Sequence, residues 1–152
     1  MSVFSRGFPK HLISTTGEYA LRAAVYLAQS YPNPQTSVQI AEATKVPVGY
    51  LSKVMQSLVR REVATSQRGL HGGFVLSREP DTITVLQVLD AADSAPERIR
   101  RCPLGLKGHV SLCPVHKLVD EAVAHVRLAF AKATLHDLTS STEGSKPLCE
   151  EI

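Results

Sequence analysis

With 152 residues, 43% of them hydrophobic and 20% charged, the chain is long enough for one domain with a buried core and too short for most multidomain enzymes, and this composition excludes a wholly disordered protein. Its longest apolar run is six residues, Ala23 to Ala28, against roughly 20 for a membrane span, and residues 1–10 lack the apolar stretch of a secretory signal, so a cytoplasmic location is expected. The net charge is a modest +3, and three cysteines, an odd number, argue against a disulfide framework.

Taken in chain order, Ser14, Thr15 and Thr16 offer N-cap hydroxyls to a first helix. Its apolar positions Tyr19, Ala20, Ala23, Ala24, Tyr26 and Leu27 recur at helical spacing until Tyr31-Pro32-Asn33-Pro34 stops them. Thr36 or Ser37 caps a short helix over Val38 to Thr44, and Lys45-Val46-Pro47 breaks it. Pro47 suits the start of a third helix, Val48 to Arg61, buried through Leu51, Val54, Met55 and Leu58. Two short helices around a tight turn form a helix-turn-helix candidate. Val63 to Gln67 and Phe74 to Ser77 then read as two strands around the loop Arg68-Gly69-Leu70-His71-Gly72-Gly73, a hairpin placed where a wing belongs. Thr82 to Ala92 is expected to be helical, with Thr84 a cap, and Pro96 to Leu112 a loop. From Cys113 onward Val115, Leu118, Val119, Ala122, Val123, Val126, Ala129, Phe130 and Ala133 mark a long helix, whose apolar face is expected to pack on a second copy as well as on its own domain.

The expected fold is therefore mainly α with a small β-hairpin: an N-terminal extension (1–11), a winged helix-turn-helix domain (12–95), a cysteine loop (96–112), a long C-terminal dimerisation helix (113–138) and a tail (139–152). Charge supports a nucleic-acid role. Between Glu42 and Arg78 stand Lys45, Lys53, Arg60, Arg61, Arg68 and Arg78 against Glu42 and Glu62, a local +4, so the remainder sums to −1. Ser, His and Asp occur without a nucleophile elbow, and no phosphate-binding glycine loop precedes a helix, so an enzyme is not expected.

Three segments carry a family resemblance. Ile13-Ser14-Thr15-Thr16-Gly17-Glu18-Tyr19-Ala20-Leu21-Arg22-Ala23, the positions Ile40-Ala41, Val46, Tyr50-Leu51 and Leu58, and Arg68-Gly69-Leu70-His71-Gly72-Gly73-Phe74 together resemble the bacterial Rrf-type winged-helix transcriptional regulators, the IscR/NsrR family. The likeness continues through Ile83 to Asp90 and runs more loosely over the cysteine loop and long helix. It implies a homodimeric regulator that binds a palindromic operator in double-stranded DNA.

On that footing Tyr50, Ser52, Lys53 and Gln56 stand where a recognition helix meets base edges. Gln56 suits a two-pronged contact with adenine, while Lys53 and Arg60 suit phosphates. Arg68 at the wing tip can enter the minor groove, with Gly69, Gly72 and Gly73 permitting close backbone approach; His71 is a phosphate contact or a turn residue.

In the cysteine loop, Cys102 matches the first cysteine of the family's sensors and Cys113-Pro114-Val115-His116 their last cysteine and histidine, whereas Lys107, Gly108 and His109 stand in the region of the middle one. The resemblance implies a [2Fe-2S] iron–sulfur cluster sensing redox state, iron or nitric oxide, held by Cys102, Cys113, His116 or His109, and Glu18 from the other subunit. Arg22 stands where one two-iron relative has a histidine. Zinc on Cys102, His109, Cys113 and His116 is a second reading. The third is no metal, with the regulator controlled by a partner protein or by thiol oxidation. Cys149 reads as an incidental exposed thiol, and His125 and His136 as solvated or partner-packed residues.

Overall fold

The structure, a computed structural model, describes residues 12–105, 108 and 110–140. The expected extension at 1–11, His109, Cys149 and the tail beyond 140 lie outside the described residues. Among the described residues, six α-helices and one hairpin follow in order: α1 (Thr15–Ser30), α2 (Ser37–Thr44), α3 (Val48–Arg60), β1 (Ala64–Gln67), β2 (Gly73–Leu76), α4 (Val85–Ala91), α5 (Pro114–Lys132) and α6 (Leu135–Ser140). Among the described residues, no helix is long and apolar enough to cross a membrane.

Helix α1 is the hub. Ser14 caps it by accepting from the Gly17 N–H, and its inner face is largely alanine: Ala20, Ala23, Ala24 and Ala28 beside Leu27. Small side chains let α2, α3, α4 and α6 approach it together. Gly17 marks the closest approach, since a Cβ there would lie 2.7 Å from Ser94 Cβ and 3.1 Å from Leu89 Cδ2. Around this hub Ile40, Leu51, Val54, Met55, Leu58, Ile83, Val88 and Leu89 complete one continuous core, each burial favouring the fold by roughly 1.5–3 kcal/mol before entropy is counted.

Helix α2 starts in a capping box between Thr36 and Gln39 and ends at Lys45, whose left-handed φ of 57° turns the chain toward Pro47 and α3. The hairpin is antiparallel, with Ala64 opposite Leu76 and Gln67 opposite Gly73. Gln35, just before α2, exchanges both backbone hydrogen bonds with Phe74 at 2.8 Å. Gly73, at φ +152°, has no room for a Cβ against the Gln35 backbone. The wing is thereby fastened to the front of the helix-turn-helix.

Two expected elements differ. The helix expected over Thr82 to Ala92 begins only at Val85: Pro80–Thr82 is a 3-10 turn, Ile83 is extended, and Thr84 and Gln87 form a capping box. The helix expected to run from Cys113 through residue 138 is broken, because Ala133 is extended and α6 starts afresh at Leu135. One cause explains both. The Val85 N–H donates to the Ala133 carbonyl and the Leu135 N–H to the Ile83 carbonyl, each at 2.9 Å. The two interruptions pair with each other, and Leu135 is driven fully into the core. Thr134 and Asp137 restart the helix: the Thr134 N–H and hydroxyl donate to Asp137 Oδ2, and the Asp137 N–H donates to Thr134 Oγ1.

Candidate functional site

Helix α3 separates its residues cleanly. Leu51, Val54, Met55 and Leu58 face the core, whereas Ser52, Lys53, Gln56 and Arg60 are exposed along the opposite side at three-to-four spacing. Tyr50 sits at the helix start with its ring edge-on to Tyr19, centroids 5.4 Å apart, and its hydroxyl 3.3 Å from Thr16 Oγ1. At 43% exposure, it both faces outward and buttresses α3 against α1. In the wing, the Gly72 N–H donates to the Gly69 carbonyl at 3.0 Å, closing a turn with Leu70 and His71 at its tip. Gly69 takes φ +109°, a conformation L side chains rarely adopt. Arg68, His71 and Leu70 project into solvent.

A second constellation lies at the start of α5. His116 Nδ1 is 3.1 Å from Cys113 Sγ and 3.5 Å from Cys102 Sγ, and the three donor atoms lie within 4.8 Å of one another. Pro114 starts the helix in a position that needs no N–H partner, so Cys113 at its N-cap and His116 one turn on share a face. All three side chains are half-buried. Tetrahedral metal bonds of about 2.0–2.3 Å place ligand atoms about 3.3–3.8 Å apart, and two sulfurs and an imidazole nitrogen within 4.8 Å of one another are close enough to converge on one metal ion with small side-chain adjustments.

Glu18 stands apart from this cluster. It is only 6% exposed on α1, its Oε1 accepts from Arg22 Nε at 2.9 Å, and Arg22 Nη1 donates to the Thr44 carbonyl at 3.2 Å. The other carboxylate oxygen, Oε2, is buried without a partner among the described residues. Within one chain Glu18 thus holds Arg22, which links α1 to the end of α2. Arg22 acts as its counter-ion.

Sequence reasoning missed Arg98 and Asp120. Arg98 Nε and Nη2 each donate to Asp120 at 2.7 Å, and the Ile99 N–H adds a third bond at 2.9 Å. Those bonds, the Arg98 one foremost, hold the Asp120 carboxyl below the usual carboxylate range. Two residues 22 apart across an aperiodic loop leave no local signal; only the position of Asp120 one turn after His116 hinted at it.

A helix-turn-helix followed by an anchored hairpin defines a winged-helix DNA-binding protein. Residues 13–141 match the family model Rrf2, an iron-dependent transcriptional regulator. The HTH-type transcriptional regulator CymR of Bacillus subtilis is 30% identical, over 88% of this chain and 94% of its own. The solved structure of CymR, the global cysteine regulator of B. subtilis, superposes with a TM-score of 0.71 at 27% identity, covering 86% of this chain and 98% of that one. IscR of T. potens superposes at 0.66 with 26% identity, covering 86% and 92%. The chain belongs to the Rrf2 family of transcriptional regulators.

Proposed function

We propose that the protein is a homodimeric regulator whose grip on a palindromic operator is set by the state of the centre formed by Cys102, Cys113 and His116. The observation that carries this reading is the convergence of two thiols and an imidazole at the head of a helix with an unpartnered apolar face. Val115, Leu118, Val119, Ala122 and Ala129 share that face and are all exposed. A twofold arrangement of such helices would pair the two recognition helices across a duplex.

In the DNA-bound molecule Ser52, Lys53 and Gln56 meet the major groove, Tyr50 orients the start of α3, Arg60 takes a phosphate, and Arg68 enters the minor groove over the Gly69–Gly72 turn with His71 beside it. An iron–sulfur cluster is the proposed occupant of the loop, supported by the family's description and by the likeness to IscR. When bound, it supplies redox- and nitric-oxide-responsive chemistry. Cys102, Cys113 and His116 hold it from within the chain; His109, or Glu18 of the second copy released from Arg22, would complete the ligand set.

A metal-free thiol switch is the second reading. The closeness of the two thiols, whose Sγ atoms lie within 4.8 Å, favours it, because oxidation can join them as a disulfide, and the likeness to CymR is compatible with it.

Anaerobic purification followed by visible spectra and iron, sulfide and zinc analysis separates these readings. Iron and sulfide that disappear in Cys113→Ser support the cluster, zinc alone supports the Cys2His2 site, and a colourless metal-free protein that still binds its operator supports the thiol switch. For the DNA half, Lys53→Ala and Arg68→Ala should each lower affinity and reduce the salt slope by about 2, one contact being lost from each subunit. Unchanged slopes in both would remove those residues from the interface.

A further inference from the structure

Residues 96–102 travel from the winged domain to the cysteine centre as a strap laid antiparallel along α5. Three contacts fix its register. Arg127 Nη1 donates to the Pro96 carbonyl at 2.9 Å, the Ile99 N–H donates to Asp120 Oδ1 at 2.9 Å, and Cys102 Sγ lies 3.5 Å from His116 Nδ1. Steps from 96 to 99 to 102 along the strap thus match steps from 127 to 120 to 116 along the helix. Three extended residues cover about 10 Å, and seven helical residues rise about 10.5 Å, so the first step requires a nearly straight strap. The second step rises only about 6 Å, which leaves slack for Cys102 to turn inward.

At the midpoint of this strap sits the two-pronged pair between Arg98 and Asp120. Asp120 accepts three hydrogen bonds from the strap while its side chain is 13% exposed, and it lies on the same helix face as Cys113 and His116, opposite the apolar face. Bidentate charge-assisted pairs fix orientation as well as distance. Without this pair the strap keeps only the Arg127 bond at Pro96 and the single Ile99 N–H bond, neither of which fixes the strap's orientation ahead of the thiol.

We propose that Arg98 and Asp120 form a latch that positions the Cys102 thiol against Cys113 and His116. The inference rests on reading those three as one centre, and it holds whether the centre carries metal or acts through its thiols. Arg98 and Asp120 are positioning residues and are not themselves ligands.

The latch sets the effective concentration of one thiol at the other, which a glutathione redox equilibrium measures directly. In the full chain with Cys149→Ser, the thiols of Cys102 and Cys113 give up two electrons and two protons as their S–S bond forms, and one glutathione disulfide is reduced to two glutathione molecules. Asp120→Asn and Arg98→Gln are expected to shift this equilibrium toward the dithiol by about tenfold. The double variant should be no worse than either single, and Arg98→Lys should recover part of the loss. Glu121→Gln, which removes only the partner of Lys117, should leave the equilibrium unchanged. Circular dichroism confirms the fold of each variant, and Arg98, half exposed, is the substitution least able to disturb it.

If the wild type forms the bond readily but Asp120→Asn and Arg98→Gln do so equally well, the latch is overturned and the centre stands. If the wild type itself behaves like two thiols joined by a floppy loop, both are overturned. A folded, metal-free protein with the expected shifts keeps the latch and removes the cofactor reading.

Discussion

The winged domain and helix α5 are drawn from similar apolar sequence but place it in opposite ways. In α3, Leu51, Val54, Met55 and Leu58 are buried, whereas the 19-residue α5 has no buried residue at all. From α5 the half-buried Phe130 packs against the core of its own domain. The winged half buries its apolar residues in a core that Leu135 completes, and α5 leaves most of its apolar residues exposed. What joins them is the packing of α5 on α4 with the Arg127–Asp90 ion pair at 3.5 Å, the backbone bonds of Ile83 and Val85 to the α5–α6 junction, the insertion of Leu135, and the strap.

Core deletions should expose this contrast most strongly. Leu58→Ala and Leu135→Ala each leave a cavity in a fully buried site and are expected to cost about 2–5 kcal/mol, read from urea denaturation. Leu118→Ala, 68% exposed on α5, should change the stability of the isolated chain by only about 0.5 kcal/mol or less. Equal losses at Leu58 and Leu118 in dilute protein would mean that α5 is as integral to the single chain as α3.

Association sharpens the same comparison. Leu118→Asp places a charge in the middle of the exposed face, where a second copy would have to desolvate it. The wild type is expected to sediment as a dimer and Leu118→Asp as a single 16.5 kDa chain, with circular dichroism nearly unchanged. Weaker binding to a two-half-site duplex should accompany the change. A wild type that stays a single chain at high concentration would refute the twofold arrangement.

The same division governs what could be read from the sequence. Helices α1 to α3 and the hairpin announce themselves locally through Ser14, Thr36, Pro47, the apolar spacing of α3 and the glycines of the wing. Their boundaries fall within a residue or two of expectation. Cys102, Cys113 and His116 were also legible, because their spacing resembles a known loop, and the fold brings them together. The interruptions at Ile83 and Ala133 were not, since each is stabilised by the other across 50 residues and apolar periodicity passes smoothly over Ala133. One local sign existed: Thr134-Leu135-His136-Asp137 has the form of a capping box inside an otherwise helical run. For Glu18, resemblance supplied a ligand role, whereas its burial and its bond to Arg22 depend on packing that no motif encodes.

The smallest expected effects are on pH dependence, and they separate the two regions by kind rather than by size. Asp137 and Asp120 both have carboxyl groups held below the usual range, Asp137 first by the Thr134 N–H and Asp120 first by Arg98. A lowered folded-state value means the stabilisation is complete above the ordinary carboxylate range and fades as pH falls through the folded value. Asp137 caps the helix that carries Leu135 into the core, so its protonation should lower the global thermal midpoint, and Asp137→Asn should flatten that midpoint against pH in acid. Asp120 fastens a strap to an exposed helix, so its protonation should loosen Cys102 first and leave the global midpoint almost untouched. Thermal melts across the acid range, set beside the rate at which Cys102 reacts with a disulfide reagent active at low pH, distinguish the two. Should Asp120→Asn flatten the thermal profile as much as Asp137→Asn does, the strap would prove part of the cooperative core rather than a separately loosened segment.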